Sequence, residues 1–369
     1  MQLLTNAYLS EEKVKKALTD PGIKYTVRFE VYDYSNNLIG TLDTVTQANV
    51  SLSGEQDIKR QLNLTLAGLG SAPTLYPLSS RIKVYLGFYV ENTVFELPLG
   101  VFLWSYPQKV LTTANKPTYT VTLQDANLYI LSKSTTQGYT IGSGTNFIQA
   151  ITQILDSLNI AYNLPNTVET TPRLTFDSNS NYLSIINSLL ASIGMYSCWS
   201  DGSGVLTSKT IPDFTFVLPE YIYTTDNLSI TESATFSTDM QNFANRVTVR
   251  SSNTQTAFPI SSTVEALNSH SLSKSNIGFY IDQIIEDANI NSSTTAYTRA
   301  QAELSKALQV YQQIELSTRA NPIHECFDIV GFSLAGDSDF SSLTIFEESG
   351  WTIELQQPFK MSHTLKRVV

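Results

Sequence analysis

The sequence predicts a mainly β protein in which a small α+β module separates two β regions. Three observations carry this reading. Period-two alternation, such as Tyr25, Val27, Phe29 and Val31 against Lys24, Thr26, Arg28 and Glu30, recurs over residues 23–131 and marks half-buried strands. Two apolar stripes with helical spacing follow at 147–161 and 181–193. A third stripe, at 294–311, passes directly into alternation, with Ile314, Leu316 and Thr318 set against Gln313, Glu315 and Ser317. At 369 residues and 42% hydrophobic content, the chain is long enough for about two to four domains with real cores.

Taken in order, residues 1–22 read as an N-terminal helix and arm. Ser10, Glu11 and Glu12 open the helix, Lys13, Lys15 and Lys16 suit its far end, and Pro21-Gly22 stops it. Residues 23–135 read as a first small barrel or sandwich. Its strands are Tyr25–Val31, a return strand Leu38–Val45 after the turn Ser35-Asn36-Asn37, an alternating Leu62-Leu64-Leu66 strand, Ile82–Leu86, Phe95–Trp104 and Tyr119–Leu123. The Ser/Thr/Gly run 132–145 reads as a connector. Its Gly142-Ser143-Gly144 step lacks the Lys-Ser/Thr pair of a phosphate loop.

Residues 136–215 make the α+β module: helix 147–161 capped near Thr145, helix 181–193 stopped by Gly194, and a hairpin turning at Ser200-Asp201-Gly202. Residues 216–360 form the second β region. Asn245–Arg250 is its expected opening strand, followed by an excursion over 251–290 and then the helix 294–311. Asn321-Pro322 breaks the next strand, an extended run from His324 to Phe332 surrounds Asp328, and Trp351–Leu355 is the expected last strand. Residues 361–369 are left as a C-terminal tail.

Composition narrows the function. A net charge of −10 argues against a surface built to hold nucleic acid, which needs clustered Lys and Arg. Only 15% of residues are charged, and the polar surface is made largely of Ser, Thr, Asn and Gln, which suits broad protein contacts where buried charge is costly. No apolar run is long enough to span a membrane, and the N-terminus has no export-signal pattern. Cys198 and Cys326 are expected as buried free thiols. His270, His324 and His363 show no metal spacing, although His324 and Cys326 would share one side of an extended segment. No nucleophile elbow or Cys-His arrangement is present, and acidic pairs such as Glu347-Glu348 read as solvated faces. No catalytic residue, cofactor or metal ligand is assigned.

Several stretches resemble phage tail baseplate hub proteins. They are Val45–Ser51 with the bend Asp57-Ile58-Lys59-Arg60 and the strand Gln61–Leu66, then Leu97–Phe102, Gly194-Met195-Tyr196, Asp201–Leu206 and Asn245–Val249. The stretch 291–332 adds a structural motif of Tyr297, Leu304, Leu308, Tyr311, Pro322 and Asp328. The resemblance implies two tube-like β-barrel domains flanking the α+β module. It implies a homotrimer, so that three chains present six similar docking surfaces to a hexameric tail tube and meet a trimeric spike. Implied partners are the tail tube or distal tail protein, the central spike protein, and baseplate wedge and tape-measure proteins. DNA would pass through an acidic lumen without specific binding. The implied location is the virion tail baseplate, after synthesis in the host cytoplasm, with spike and lytic activity on other subunits. A secreted β-rich adhesin or carbohydrate-binding protein is the alternative, and a tail-associated peptidase a third reading.

Overall fold

In the computed structural model, the residues described are 1–2, 9–20, 22–68, 73–111, 117–134, 138–214, 217–225, 230–238, 243–253, 259–309, 312–337 and 340–368. Helix α1 (Glu11–Leu18) has Glu11 and Glu12 in its first turn and Lys15 and Lys16 in its last, each sign matched to the helix dipole. Its Val14 and Leu18 are buried against Phe88, Phe95 and Leu97.

The first β region holds β1 (Tyr25–Tyr32), β2 (Leu38–Thr41), β3 (Val45–Ser53), β4 (Arg60–Leu66), β5 (Arg81–Val90), β6 (Thr93–Leu103), β7 (Gln108–Val110) and β8 (Thr118–Asp125). Alternation places Leu62, Leu64 and Leu66 inside, as expected. The return strand Leu38–Val45 is a correction. It breaks at Leu42, whose side chain turns into the core and whose N–H bonds Phe29 O at 3.0 Å, so β3 leaves β2 and pairs with β4.

The module begins earlier than the connector suggested. Helix α2 (Ala126–Lys133) starts at Asp125, whose carboxylate accepts from Leu128 N at 2.9 Å, and it sends Leu128 and Leu131 into the module core. Beyond it lie β9 (Tyr139–Ile141), α3 (Phe147–Ser157), β10 (Tyr162–Asn163), β11 (Leu174–Phe176), α4 (Tyr182–Ser192), β12 (Trp199–Ser200) and β13 (Leu206–Thr207). Asn146 and Asn181 cap α3 and α4 through their side chains. Gly194 ends α4 at φ 71°, and a Cβ there would lie 2.9 Å from Thr298, so only glycine allows this close approach.

The last part contains β14 (Tyr221–Tyr223), β15 (Thr231–Thr238), β16 (Arg246–Ser251), β17 (Ser261–Glu265), α5 (Lys274–Ile277), β18 (Asp282–Asp287), α6 (Ser293–Gln309), β19 (Gln312–Arg319), β20 (Ile329–Phe332), β21 (Thr344–Glu354) and β22 (Lys360–Arg367). Three expectations are corrected here. The Asn245–Arg250 strand does not open the second barrel. As β16 it forms a separate sheet with β17 and β18, both drawn from the excursion, and its Val247 and Val249 pack under Ala300 and Leu304 of α6. The run His324–Phe332 is extended only from Ile329, because residues 322–323 and 326–327 are turns, so His324 and Cys326 share no strand face. The tail 361–369 is mostly β22, a central strand between β19 and β21. Met361, His363 and Leu365 alternate inward there, a period masked in the sequence by Lys360, Lys366 and Arg367.

The fold is mainly β with an α+β insert. The module separates the two β regions along the chain, yet they join in space. One antiparallel path runs β15-β19-β22-β21-β3-β4-β8-β6-β5-β1-β2, and β21 crosses between regions by pairing Trp351 with Leu52 and Ile353 with Val50. One core, including Val31, Leu62 and Leu123, also takes in Trp351, Ile353 and Met361 of the last part, and a second, including Ile314, Phe332 and Leu365, lies within that last part.

Candidate functional site, a buried polar seam between the β regions

Residues 320–328 join β19 to β20, and all are buried. Turns leave their backbone groups without a strand ladder, so partners must come from elsewhere. Tyr25 donates to Ala320 O at 2.6 Å, Gln2 N to Ile323 O at 2.8 Å, and Gln2 Nε2 to Pro322 O at 3.2 Å. Asp328 Oδ2 accepts from Glu325 N at 2.8 Å, while Phe327 N reaches Glu348 O at 2.9 Å.

Arg60 is the centre of this seam. It is the first residue of β4 and fully buried. Its Nε donates to Ser200 O in the module at 2.9 Å, and Nη1 donates to Leu99 O in the first β region at 2.7 Å. Nη2 pairs with Glu325 of the second region. Glu325 Oε1 also accepts from Gly202 N at 3.0 Å. A Cβ on Gly202 would meet Pro98 O at 2.1 Å, so the module's turn can dock here only as glycine. Three parts of the chain therefore converge on one guanidinium, whose fixed fork suits this geometry.

Two further clusters extend the seam. The Met1 amino group donates to Asp328 Oδ1 at 3.0 Å and to Glu220 Oε2 at 3.2 Å, and Lys209 Nζ lies 3.7 Å from Asp328. Behind them, Glu348 sits between two buried histidines, 3.0 Å from His363 Nδ1 and 3.6 Å from His324 Nδ1. Tyr223 OH closes the ring, 2.8 Å from His324 Nε2 and 3.4 Å from His363 Nε2, with Asn321 donating to it at 3.1 Å. Glu347 accepts from Tyr196 and from Gln309.

Burial dominates the electrostatics. It raises the carboxyls of Glu325, Asp328, Glu347 and Glu348 above their ordinary range, opposed by Arg60, the Met1 amine, Tyr196 and His363 respectively. It also holds His324 well below its ordinary value, helped by nearby His363. Burial pushes the Cys198 and Cys326 thiols up to about 12, leaving them unreactive thiols. Among the described residues, no group of three or more His, Cys, Asp or Glu is placed to hold a metal ion. The central groups, Arg60, Glu325, Glu348, His324 and His363, are buried and bonded mainly to one another, and they link three parts of the chain.

The sequence motif is divided by the structure. Pro322 and Asp328 are in the seam. Leu304 and Leu308 pack over β16 and β17, and with the 50% exposed Tyr297 they line a groove, away from the seam, that also takes in Leu267. Tyr311 lies outside the described residues. Sequence periodicity gives Arg60, Tyr223, Glu325 and His363 no functional role, and the Glu347-Glu348 pair, expected as a solvated face, is instead buried between the histidines and Tyr196. One signal was available: His363 occupies an inward position between Met361 and Leu365.

Known structures share the overall fold. The tail protein of Neisseria meningitidis MC58 superposes with a TM-score of 0.66 at 9% identity, covering 93% of this chain and 96% of that one. The fold is that of phage tail proteins. The 43 kDa tail protein of prophage MuSo2 from Shewanella oneidensis gives 0.64 at 11% identity, covering 93% and 98%. An E. coli protein, c3393, gives 0.50 at 10% identity, covering 94% of this chain and 77% of its own. It is described as a type VI secretion component structurally similar to the T4 tail proteins gp27 and gp5. No family model matches the chain, and no curated protein sequence matches it. The tail-protein fold is thus recognisable in three dimensions at identities where sequence comparison is silent.

Proposed function

We propose that this chain is the structural hub of a phage or phage-derived tail baseplate. The carrying observation is the tail-protein fold over 93% of the chain, with one sheet running unbroken through both β regions. In this reading the protein is a homotrimeric ring and not an enzyme. Residues 23–135 and 216–360 act as paired tube-like domains, held at a set angle by the module 136–215 and the Arg60 seam. Three chains then offer six docking surfaces to the hexameric tube or distal tail protein, and their threefold face to a central spike. Wedge and tape-measure proteins are further partners, DNA passes through the lumen, and the location is the virion baseplate.

Light scattering of the purified chain, with negative-stain images of the same sample, tests this. A species of three chains with a central hole is expected. A monomer that stays monomeric with its tube and spike partners overturns the proposal, and glycan binding by that monomer would favour the adhesin alternative.

A further inference from the structure

A trough runs along α6. Tyr297, Gln301, Leu304, Ser305 and Leu308 recur at the three-four spacing of one helix face and form one wall. The segment 264–271, which leaves β17, forms the other, and Leu267 projects from it 64% exposed. The space between them is about 800 Å³, within the range of pockets that hold a ligand or a short segment of chain. Beyond Leu308 the trough reaches Gln312 and Arg367. The same two residues border a second depression of about 460 Å³, lined by Phe236, Phe340 and Phe346. Arg367 continues the inward alternation of Met361, His363 and Leu365 on β22, so its side chain leaves the sheet on the face that α6 covers.

The two ends are apolar and the middle is cationic. Tyr297 and Leu267 stand half or more in water at one end, and at the other Phe236 stacks on Phe340 with ring centroids 4.2 Å apart. Between them Arg367 donates one N–H to Gln312 Oε1, and among the described residues it has no carboxylate partner. The other ionisable groups along the trough are already taken up. Glu265 accepts from Tyr280 OH at 2.8 Å and lies 3.8 Å from Arg246, and Asp213 has a partner of its own. His270 accepts from Leu272 N at its Nδ1, and burial holds it below its ordinary value, so it is neutral.

We propose that the trough docks an extended segment of a partner protein in which one acidic side chain stands between two large apolar ones. The remaining N–H donors of Arg367 form a fork for that carboxylate. One apolar side chain enters between Tyr297 and Leu267, and the other lies over Phe236. From Tyr297 to Leu308 the helix wall is about 17 Å long, the reach of about five extended residues. A phosphorylated ligand fits less well, because it calls for several cations or a nest of backbone N–H groups. The proposal stands apart from the ring reading, since a ring and a monomer would carry the same trough.

Selection of mRNA-displayed random heptapeptides on the immobilised full chain tests this. Enriched sequences should carry Asp or Glu between large apolar residues. A synthetic peptide of the enriched sequence should bind Arg367→Gln at least about tenfold more weakly than the unaltered chain. Leu267→Ser, at an exposed position that leaves the core untouched, should weaken it as well. Replacing the peptide's acid by its amide should cost the same factor on the unaltered chain and nothing further on Arg367→Gln. No enrichment, a consensus without an acid, or equal binding to Arg367→Gln overturns the proposal. A fall in the solution mass of Leu267→Ser would place a second copy of the chain in the trough and overturns it equally.

Discussion

In the first β region, the mid-strand inward positions of β3, β4 and β8 are Val50, Leu52, Leu62, Leu64 and Leu123, an apolar core with little need for exact partners, and only the strand ends carry buried polar groups, Arg60 and Asp125. The buried positions of β21 and β22, in the same sheet, include Glu347, Glu348 and His363. The two solutions differ in what they specify. Apolar burial is non-directional and tolerates repacking. A buried carboxylate or imidazole is tolerated only where its partners stand, because an unpaired one costs its full desolvation. The apolar half makes the sheet fold, and the polar half sets where the module and the second region sit against it.

Breaking the seam at its centre should have the largest effect. Arg60→Met strands Glu325 in the interior and should cost about 3–5 kcal/mol in urea unfolding. Adding Glu325→Gln should restore part of that loss, and no recovery would show that Arg60 acts only by packing. In the apolar half, Leu123→Ala should cost about 2–5 kcal/mol, and Glu325→Gln should leave that deficit unchanged. Tyr223→Phe keeps the ring but removes the hydroxyl between the histidines, and a loss of about 1–3 kcal/mol is expected. A cost near zero would remove the distinction between the two halves at that point. Away from both, Asn146→Ala deletes the cap that accepts from Ile148 N and Gln149 N, at about 1 kcal/mol. Hydrogen exchange should place that loosening in the module.

The smallest expected effect concerns pH. His324 is neutral in the fold and sits well below its ordinary value of 6.5. As pH falls below that value, the unfolded chain takes up a proton that the folded chain refuses, so this term removes stability on acidification. The raised seam carboxyls act with the opposite sign, since the folded chain protonates them first. His324→Gln removes only the histidine term. The variant should therefore gain on the unaltered protein as pH is lowered through 6.5, read as a rising difference in urea midpoint. A constant difference would mean His324 is not the titrating group.

Strands whose inward residues are all apolar could be read directly, as Leu62-Leu64-Leu66 shows, and so could α3 and α4 with their asparagine caps. Helix α2 was not legible. Its eight residues give a weak apolar stripe, and it is secured by Asp125 and by contacts inside the module core. β22 was hidden by its basic ends, and β16 looked like barrel because a strand's pattern does not name its sheet. The motif residues Pro322 and Asp328 stand in the seam, and the partners they bond lie far along the chain. Arg60 and Glu325 are 265 residues apart, and Met1 and Asp328 are 327 apart.

By itself the sequence determined the class of the fold, the order of its parts and the polarity of its surface. These follow from local periodicity and composition, which need no knowledge of what lies across the core. Only the tertiary structure decided that the two β regions share one sheet and that Arg60 binds three parts together. Both depend on register between distant strands. Hydrogen-bond partners are set by that register, and no window of the chain contains it.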